Sequence, residues 1–330
     1  MKPKNLIVFD MDGVIIDVSA SYRDAVRQTA GLFFQPARGA EKLPDPLFEL
    51  SDLAAVKQSG GLNNDWDLTF AVISLFFSLV ENPAGPANPD PWNRYRETIS
   101  RCDAASMASF MQSTDKPLIS MLQEHGRYQD PFVDSLYRGD VGSGNIIKQI
   151  FQEIYLGEEL FKSTYNMAPA VYHGQGFILR EKVLIDRQLL AELAGENVLA
   201  IATGRPRAEA EYPLNHFDLG RFFSQILTLD DCLAEEKRIF EQEARVVSLS
   251  KPNPYMLDAI AAKCREPFDR FYYVGDMPDD MLAAAGAATD CKGIGILVSA
   301  PDKINLAKSL RAAGADYIIE SFEALRTIIL

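Results

Sequence analysis

The side chains best suited to chemistry in this sequence stand directly behind short apolar runs. Asp10-Met11-Asp12-Gly13-Val14 follows the run Leu6 to Phe9, and Thr203-Gly204-Arg205-Pro206 follows Val198 to Ala202. Lys251-Pro252 stands just before a predicted helix at Pro254, and Gly275-Asp276, with Asp279 and Asp280 close behind, follows Phe271 to Val274. Ligands of open parallel sheets bind outside the carboxyl ends of the strands, so these segments are expected to meet at one sheet edge. Carboxylates, a hydroxyl and an ammonium gathered there suit metal-assisted phosphoryl transfer. Mg2+ is a hard cation that keeps several waters and needs only two or three protein oxygens. Asp10 and Asp276 can supply them together with a backbone carbonyl near Asp12, and the ion would screen the approach of Asp10 to an anionic phosphate. Asp10 is then the expected nucleophile, forming an aspartyl-phosphate, and Asp12 the expected general acid and later general base. Lys251 would offset the charge of the nucleophile and of the phosphoryl group. The Thr203 hydroxyl and the Gly204 amide would donate to phosphoryl oxygens, and Gly13 would permit a tight turn that lets main-chain amides approach them.

These residues need a scaffold. Leu6 to Phe9 is continuously apolar, as expected of a strand buried on both faces of a parallel sheet. The same style returns from about residue 183 in the runs Val198 to Ala202, Gln225 to Leu229, Phe271 to Val274, Ile294 to Val298 and Tyr317 to Ile319. Between them the pattern predicts helices over Asp186 to Ala194, Pro254 to Cys264, Pro278 to Ala287 and Asp302 to Ala313. Asp186 is placed to cap the first of these, and prolines begin two of them, where the missing N–H costs nothing. Alternating strand and helix implies an α/β fold, a doubly wound parallel sheet. The middle of the chain differs. Ser19 to Phe34, Leu47 to Lys57, Asp65 to Glu81, Trp92 to Met111 and Asn145 to Leu156 all read as helices, with a proline-rich loop over Asn82 to Pro91. The expected domains are therefore residues 1–17 with 181–330 as a Rossmann-like core, and residues 18–180 as a large, all-helical insertion.

The ordered set of motifs resembles the haloacid dehalogenase-like superfamily. Asp10-Met11-Asp12-Gly13-Val14 is similar to its first motif, Thr203 to its second, Lys251-Pro252 to its third, and Gly275-Asp276-Met277-Pro278-Asp279-Asp280 to its fourth. Gly314-Ala315-Asp316-Tyr317-Ile318-Ile319 is similar to the tail of the subgroup whose cap is inserted directly after the first motif, which includes phosphoglycolate phosphatase-like and β-phosphoglucomutase-like proteins. The resemblance covers the sheet domain, about half the chain. It implies a Rossmann-like core, Mg2+, an aspartyl-phosphate intermediate, and a mobile helical cap that selects the substrate. It further implies that Asp276 binds the metal and that Asp280 stands behind it. The insertion, roughly 160 residues, is larger than the caps expected in this subgroup.

Within the insertion, Gly60-Gly61-Leu62-Asn63-Asn64-Asp65-Trp66 links two predicted helices where a cap of this type dips toward the active site. Asn63, Asn64 and Trp66 are candidate substrate contacts, although Asn64 or Asp65 could equally cap the next helix. Arg205 and Arg23 are candidate partners for a substrate anion. Gly139 to Gly144 has the composition of a phosphate loop, but no strand precedes it, and it reads as a turn. His125, His173 and His216 are scattered without metal-ligand spacing. Thr203 could also cap a helix beginning near Pro206, and Asp279 complements the dipole of its helix whatever the function.

Composition narrows the partners. The chain is 47% hydrophobic and 24% charged, which is ordinary for a globular protein, and its formal net charge of −13 repels nucleic acid and anionic lipid. The apolar run Leu68 to Val80 is too short to span a bilayer, so no membrane is expected and an ATP-driven pump is excluded. Cys102, Cys232, Cys264 and Cys291 lie far apart, and a reducing cytoplasm is the expected compartment, with no room for a leader before Phe9. The expected activity is hydrolysis of a small phosphorylated metabolite. A sugar-phosphate mutase and a non-catalytic phosphometabolite sensor are the alternatives, and whether the insertion builds a homodimer interface is left open. Dehalogenation is disfavoured, because acid catalysis by Asp12 has no purpose in displacing halide.

Overall fold

A computed structural model describes residues 4–58, 64–81, 88–126 and 129–329. The chain divides into two compact units, Met1–Val18 with Lys182–Leu330, and Ser19–Glu181.

The first unit is built on a six-stranded parallel sheet. Its strands are β1 (Lys4–Phe9), β4 (Val198–Ala202), β5 (Gln225–Leu227), β6 (Phe268–Gly275), β7 (Cys291–Ile296) and β8 (Tyr317–Ile319). A short antiparallel pair, β2 (Ile16–Asp17) and β3 (Lys182–Val183), joins the segments on either side of the insertion. The sheet order is β5-β4-β1-β6-β7-β8. After β1 the chain winds outward on one side through β4 and β5, then returns past β1 to wind outward through β6, β7 and β8. The order thus reverses at β1, and the crevice at its carboxyl end is the natural ligand site of such a sheet.

The reason for β1 is plain in its burial: Leu6, Ile7, Val8 and Phe9 all have no exposed surface. Successive side chains point to opposite faces, so Leu6 and Val8 pack with Met256, Leu257 and Ile260, while Ile7 and Phe9 face the other layer. Burying each such side chain stabilises the fold by roughly 1.5–3 kcal/mol. β1 is therefore a stiff central rod with Asp10 at its tip.

The insertion unit, residues 19–181, is helical, as its apolar spacing implies. Its helices are α1 (Tyr22–Phe34), α2 (Leu50–Gln58), α3 (Asp65–Phe77), α4 (Pro91–Ile99), α5 (Ala105–Ser113), α6 (Pro117–His125), α7 (Pro131–Ser135) and α8 (Ile146–Tyr165). Tyr22 stacks on Tyr155 with ring centroids 4.0 Å apart, pinning α1 to α8. Two polar groups are buried to hold backbone. Asp52 accepts from the amides of Leu118 and Ile119 at the start of α6, and Glu153 accepts from those of Ala170, Val171 and Tyr172.

Some local readings need correction. The helix expected over Trp92 to Met111 is two, because Asp103 exchanges both main-chain hydrogen bonds with Glu81 and the Cys102 carbonyl accepts from Arg38. That lateral pairing takes the groups a continuous helix would use. The strand expected over Ile294 to Val298 begins at Cys291 and ends at Ile296. In the sheet unit, α9 (Arg187–Glu196), α12 (Tyr255–Lys263), α13 (Pro278–Gly286) and α14 (Lys303–Ala312) lie where helices were expected. The pattern missed α10 (Arg207–His216), α11 (Leu229–Glu243) and α15 (Glu323–Ile329). The first carries an internal proline and the second exposes Leu233 and Phe240, which blurs the apolar stripe.

Candidate active site

Asp10 lies one residue beyond β1 and is 6% exposed, and its amide donates to the Val274 carbonyl of β6 at 2.8 Å. The chain then doubles back at once. Ile15 and Ile16 donate to the Met11 carbonyl, and Gly13 donates to that of Ile16 at 2.8 Å. The Gly13 amide is therefore spent inside the turn. Glycine is needed there for two reasons. Its φ is +72°, and a Cβ would lie 2.1 Å from Asp276 Oδ2. Gly275 is under a similar constraint, since a Cβ there would meet the Asp280 side chain at 2.3 Å.

Neighbouring strands bring the remaining groups. Thr203 follows β4, Asp276 follows β6, and Asp280 lies in the first turn of α13. Lys251, in the loop between α11 and α12, places Nζ 2.7 Å from Asp10 Oδ1 and 2.8 Å from Asp280 Oδ1. Burial works against the charge on Lys251, but the Asp10 and Asp280 carboxylates outweigh it and hold the ammonium well above its ordinary range. Asp280 holds further donors: Oδ1 also accepts from the Tyr273 hydroxyl at 2.9 Å, and Oδ2 accepts from the Met277 amide at 2.9 Å. Burial and then the Asp280 charge hold the Tyr273 phenol well above its ordinary range, so it donates. Tyr273 escaped the sequence reading, although a phenol in the buried half of β6 signals a polar partner. Ser299, whose hydroxyl lies 3.4 Å from Asp276 Oδ2, gave no comparable signal.

Thr203 is 1% exposed, and its Oγ1 accepts from the Arg205 amide at 3.2 Å, while nothing crowds Gly204 beside it. Arg205, a candidate partner for a substrate anion, has a side chain 1% exposed, and its Nε donates to Asp12 Oδ1 at 2.6 Å. Of the insertion candidates, Asn64 caps α3 by accepting from the Trp66 amide at 2.8 Å. The Trp66 ring lies under Lys148 Nζ at 4.0 Å, and Asn63 falls outside the described residues.

The donor set suits a divalent cation. Asp10, Asp276 and Asp280 each present a carboxylate oxygen within 4.8 Å of the others, among the described residues. With Asp12, four carboxylates share the site with the two cations Lys251 and Arg205, leaving an excess of negative charge. Burial pushes Asp10 up to about 8, with Lys251 opposing and Asp280, Asp12 and Asp276 adding. Hard oxygen donors with uncompensated charge are what Mg2+ requires. Asp10 and Asp276 stand just beyond the ends of β1 and β6, while Asp280 accepts from Lys251, Tyr273 and the Met277 amide.

No helix among the described residues is long and apolar enough to cross a membrane. No curated protein matches the sequence. Among solved structures, a structural-genomics X-ray structure aligns with 98% of this chain and 98% of its own at 22% identity and a TM-score of 0.63. Phosphatase Tt82 from Thermococcus thioreducens aligns over 93% of this chain and 99% of its own, at 18% identity and a TM-score of 0.51. Likeness at these identities speaks for the fold. The haloacid dehalogenase-like hydrolase family itself matches residues 4–288, which takes in the whole insertion unit and the four motifs that end at Asp280. With that span matched and the sheet reversing at β1, the chain belongs to the haloacid dehalogenase-like hydrolases.

Proposed function

We propose that the protein is a phosphatase that hydrolyses a small phosphorylated metabolite through an aspartyl-phosphate on Asp10. The observation that carries this reading is the Lys251 ammonium held between Asp10 and Asp280 at the tip of the central strand, 2.7 and 2.8 Å from their oxygens. A carboxylate in a buried crevice is a poor nucleophile toward an anion unless cations offset both charges, and Lys251 supplies one of them. Asp10 and Asp276, with the main-chain carbonyl of Asp12, would hold Mg2+, which when bound neutralises charge on the nucleophile and on the phosphoryl oxygens. Asp12 would give a proton to the leaving oxygen and later take one from water. The Thr203 hydroxyl and the Gly204 amide would donate to the phosphoryl group, and Asp280 with Tyr273 would fix Lys251. The insertion unit would act as the cap that selects the substrate, with Asn64 and Trp66 as candidate contacts. The name of the Thermococcus neighbour agrees with phosphatase chemistry.

The test is phosphate release from a panel of phosphorylated metabolites with Mg2+, with and without excess chelator, for wild type beside Asp10→Asn. Turnover by metal-loaded wild type alone supports the reading and names the substrate class. Binding without release would sink it in favour of a sensor, and a requirement for a bisphosphate activator would favour a mutase.

A further inference from the structure

We infer that Arg205 is a positioning residue for the reaction, acting through Asp12 and not on the substrate. The inference rests on the acid–base role proposed for Asp12. An arginine whose side chain is 1% exposed must be paired, and the pairing here is directional. Nε reaches Asp12 Oδ1 at 2.6 Å, and Nη1 donates to the Glu209 carbonyl in the first turn of α10 at 3.1 Å. The backbone of Arg205 is tied as well: its amide donates to Thr203 Oγ1 at 3.2 Å, and its carbonyl accepts from the Leu229 amide at 2.9 Å. Guanidinium is a planar, rigid fork, so a fixed arginine fixes whatever carboxylate it holds. Asp12 is the group in need of fixing. Its side chain is 30% exposed, and Oδ2 makes no hydrogen bond among the described residues. One oxygen is anchored and the other is left to handle the proton.

The reaction shows why this matters. An oxygen of Asp10 bonds to phosphorus while the bond from phosphorus to the alcohol oxygen breaks, its electron pair going to that oxygen. The proton on Asp12 Oδ2 passes to the departing oxygen, giving a neutral alcohol. Water then attacks phosphorus, loses a proton to the same Oδ2, and displaces the Asp10 carboxylate, releasing phosphate. Both proton transfers require Oδ2 at one place, and displacement of such a group by about 1 Å can cost on the order of 100-fold.

Phenyl phosphate and p-nitrophenyl phosphate have nearly the same shape but differ in need, because p-nitrophenolate departs without a proton. The value of kcat/KM reports the steps through departure of the alcohol, so the comparison isolates the acid. For metal-loaded Arg205→Lys, kcat/KM should fall roughly 10- to 100-fold with phenyl phosphate and no more than about threefold with p-nitrophenyl phosphate. Asp12→Asn should show the same selectivity more strongly. Equal losses on both substrates for Arg205→Lys, beside a selective Asp12→Asn, would make the arginine merely structural and overturn the inference. Absence of selectivity in Asp12→Asn would instead remove the acid–base reading on which it rests. If Arg205→Lys does not fold, Asp12→Glu carries the same test. It leaves Arg205 in place and moves the carboxylate by one methylene, so it too must lose phenyl phosphate activity selectively, and equal losses would overturn the inference.

Discussion

Replacing Gly13 by alanine tests how tightly the first turn and the fourth motif are built against each other. Two costs arise. Gly13 has φ +72°, and an L-residue held there is strained by roughly 1–2 kcal/mol. The new Cβ would also stand 2.1 Å from Asp276 Oδ2, 2.7 Å from its Cγ and 2.9 Å from Ser299 Oγ, where real contacts do not fall below 3.0 Å. The Asp276 carboxylate must therefore retreat by about 1 Å, a displacement of the kind that costs overpacked sites about 1–3 kcal/mol. Together the substitution should destabilise the sheet unit by roughly 2–5 kcal/mol, lowering its unfolding midpoint by about 5–15 °C. The same retreat spoils one of the two carboxylates that fit the metal, so the Mg2+ concentration for half-maximal turnover should rise. The assay is thermal unfolding of Gly13→Ala in wild-type and Asp276→Ala backgrounds, beside Mg2+ titration of turnover. Removing the Asp276 carboxylate relieves most of the clash but none of the backbone strain, so the cost of Gly13→Ala should shrink toward the strain alone. An equal cost in both backgrounds, or an unchanged Mg2+ requirement, refutes the reasoning.

Three further outcomes are expected. Tyr273→Phe removes a donor to a buried carboxylate and should cost about 1.5–3 kcal/mol in urea unfolding, whereas Tyr272→Phe, whose hydroxyl accepts from Arg270 at 3.4 Å, should cost under about 1 kcal/mol. Similar losses for the two would count against a supporting role for Tyr273. In the insertion unit, Glu153→Leu leaves the amides of Ala170, Val171 and Tyr172 without their acceptor and should destabilise by about 3 kcal/mol or more, with faster hydrogen exchange at those amides. Unchanged exchange there would contradict the clamp. In chelator-treated protein burial pushes Asp10 up to about 8, far above the ordinary carboxylate range, so the folded state holds a proton that the unfolded chain has lost. A carboxylate raised in this way contributes stability that falls as pH rises from about 4 to about 8. Wild type should therefore lose ground to Asp10→Asn across that window, and a difference that is flat or moves the other way disproves it.

Much of the site was legible because each motif is local. A run such as Leu6 to Phe9 suits a strand buried on both faces, and an Asp-x-Asp-Gly directly behind it then falls at the strand's end. The order of Thr203, Lys251 and Asp276 behind further runs placed them at the same sheet edge through the general rule for parallel sheets. Legibility failed where local pattern and long-range pairing compete. The break between α4 and α5 is made by Glu81, which no helical periodicity around Cys102 could reveal.

What the sequence by itself determined is the inventory and its layout: strands that must be buried, helices between them, and oxygen- and nitrogen-bearing side chains at their ends. Hydrophobic periodicity carries that information within a few residues. Only the tertiary structure decided which group meets which. Arg205 reaches Asp12 across 193 residues of chain, and Lys251 reaches Asp280 across 29. Tyr273 serves Asp280 from the middle of its own strand, and Gly13 is glycine because Asp276 stands against it. These choices depend on sheet order and register, which bring distant strands within hydrogen-bond distance, and on the cost of burying a charge, which then leaves each ion little freedom but to take the partner that the fold presents.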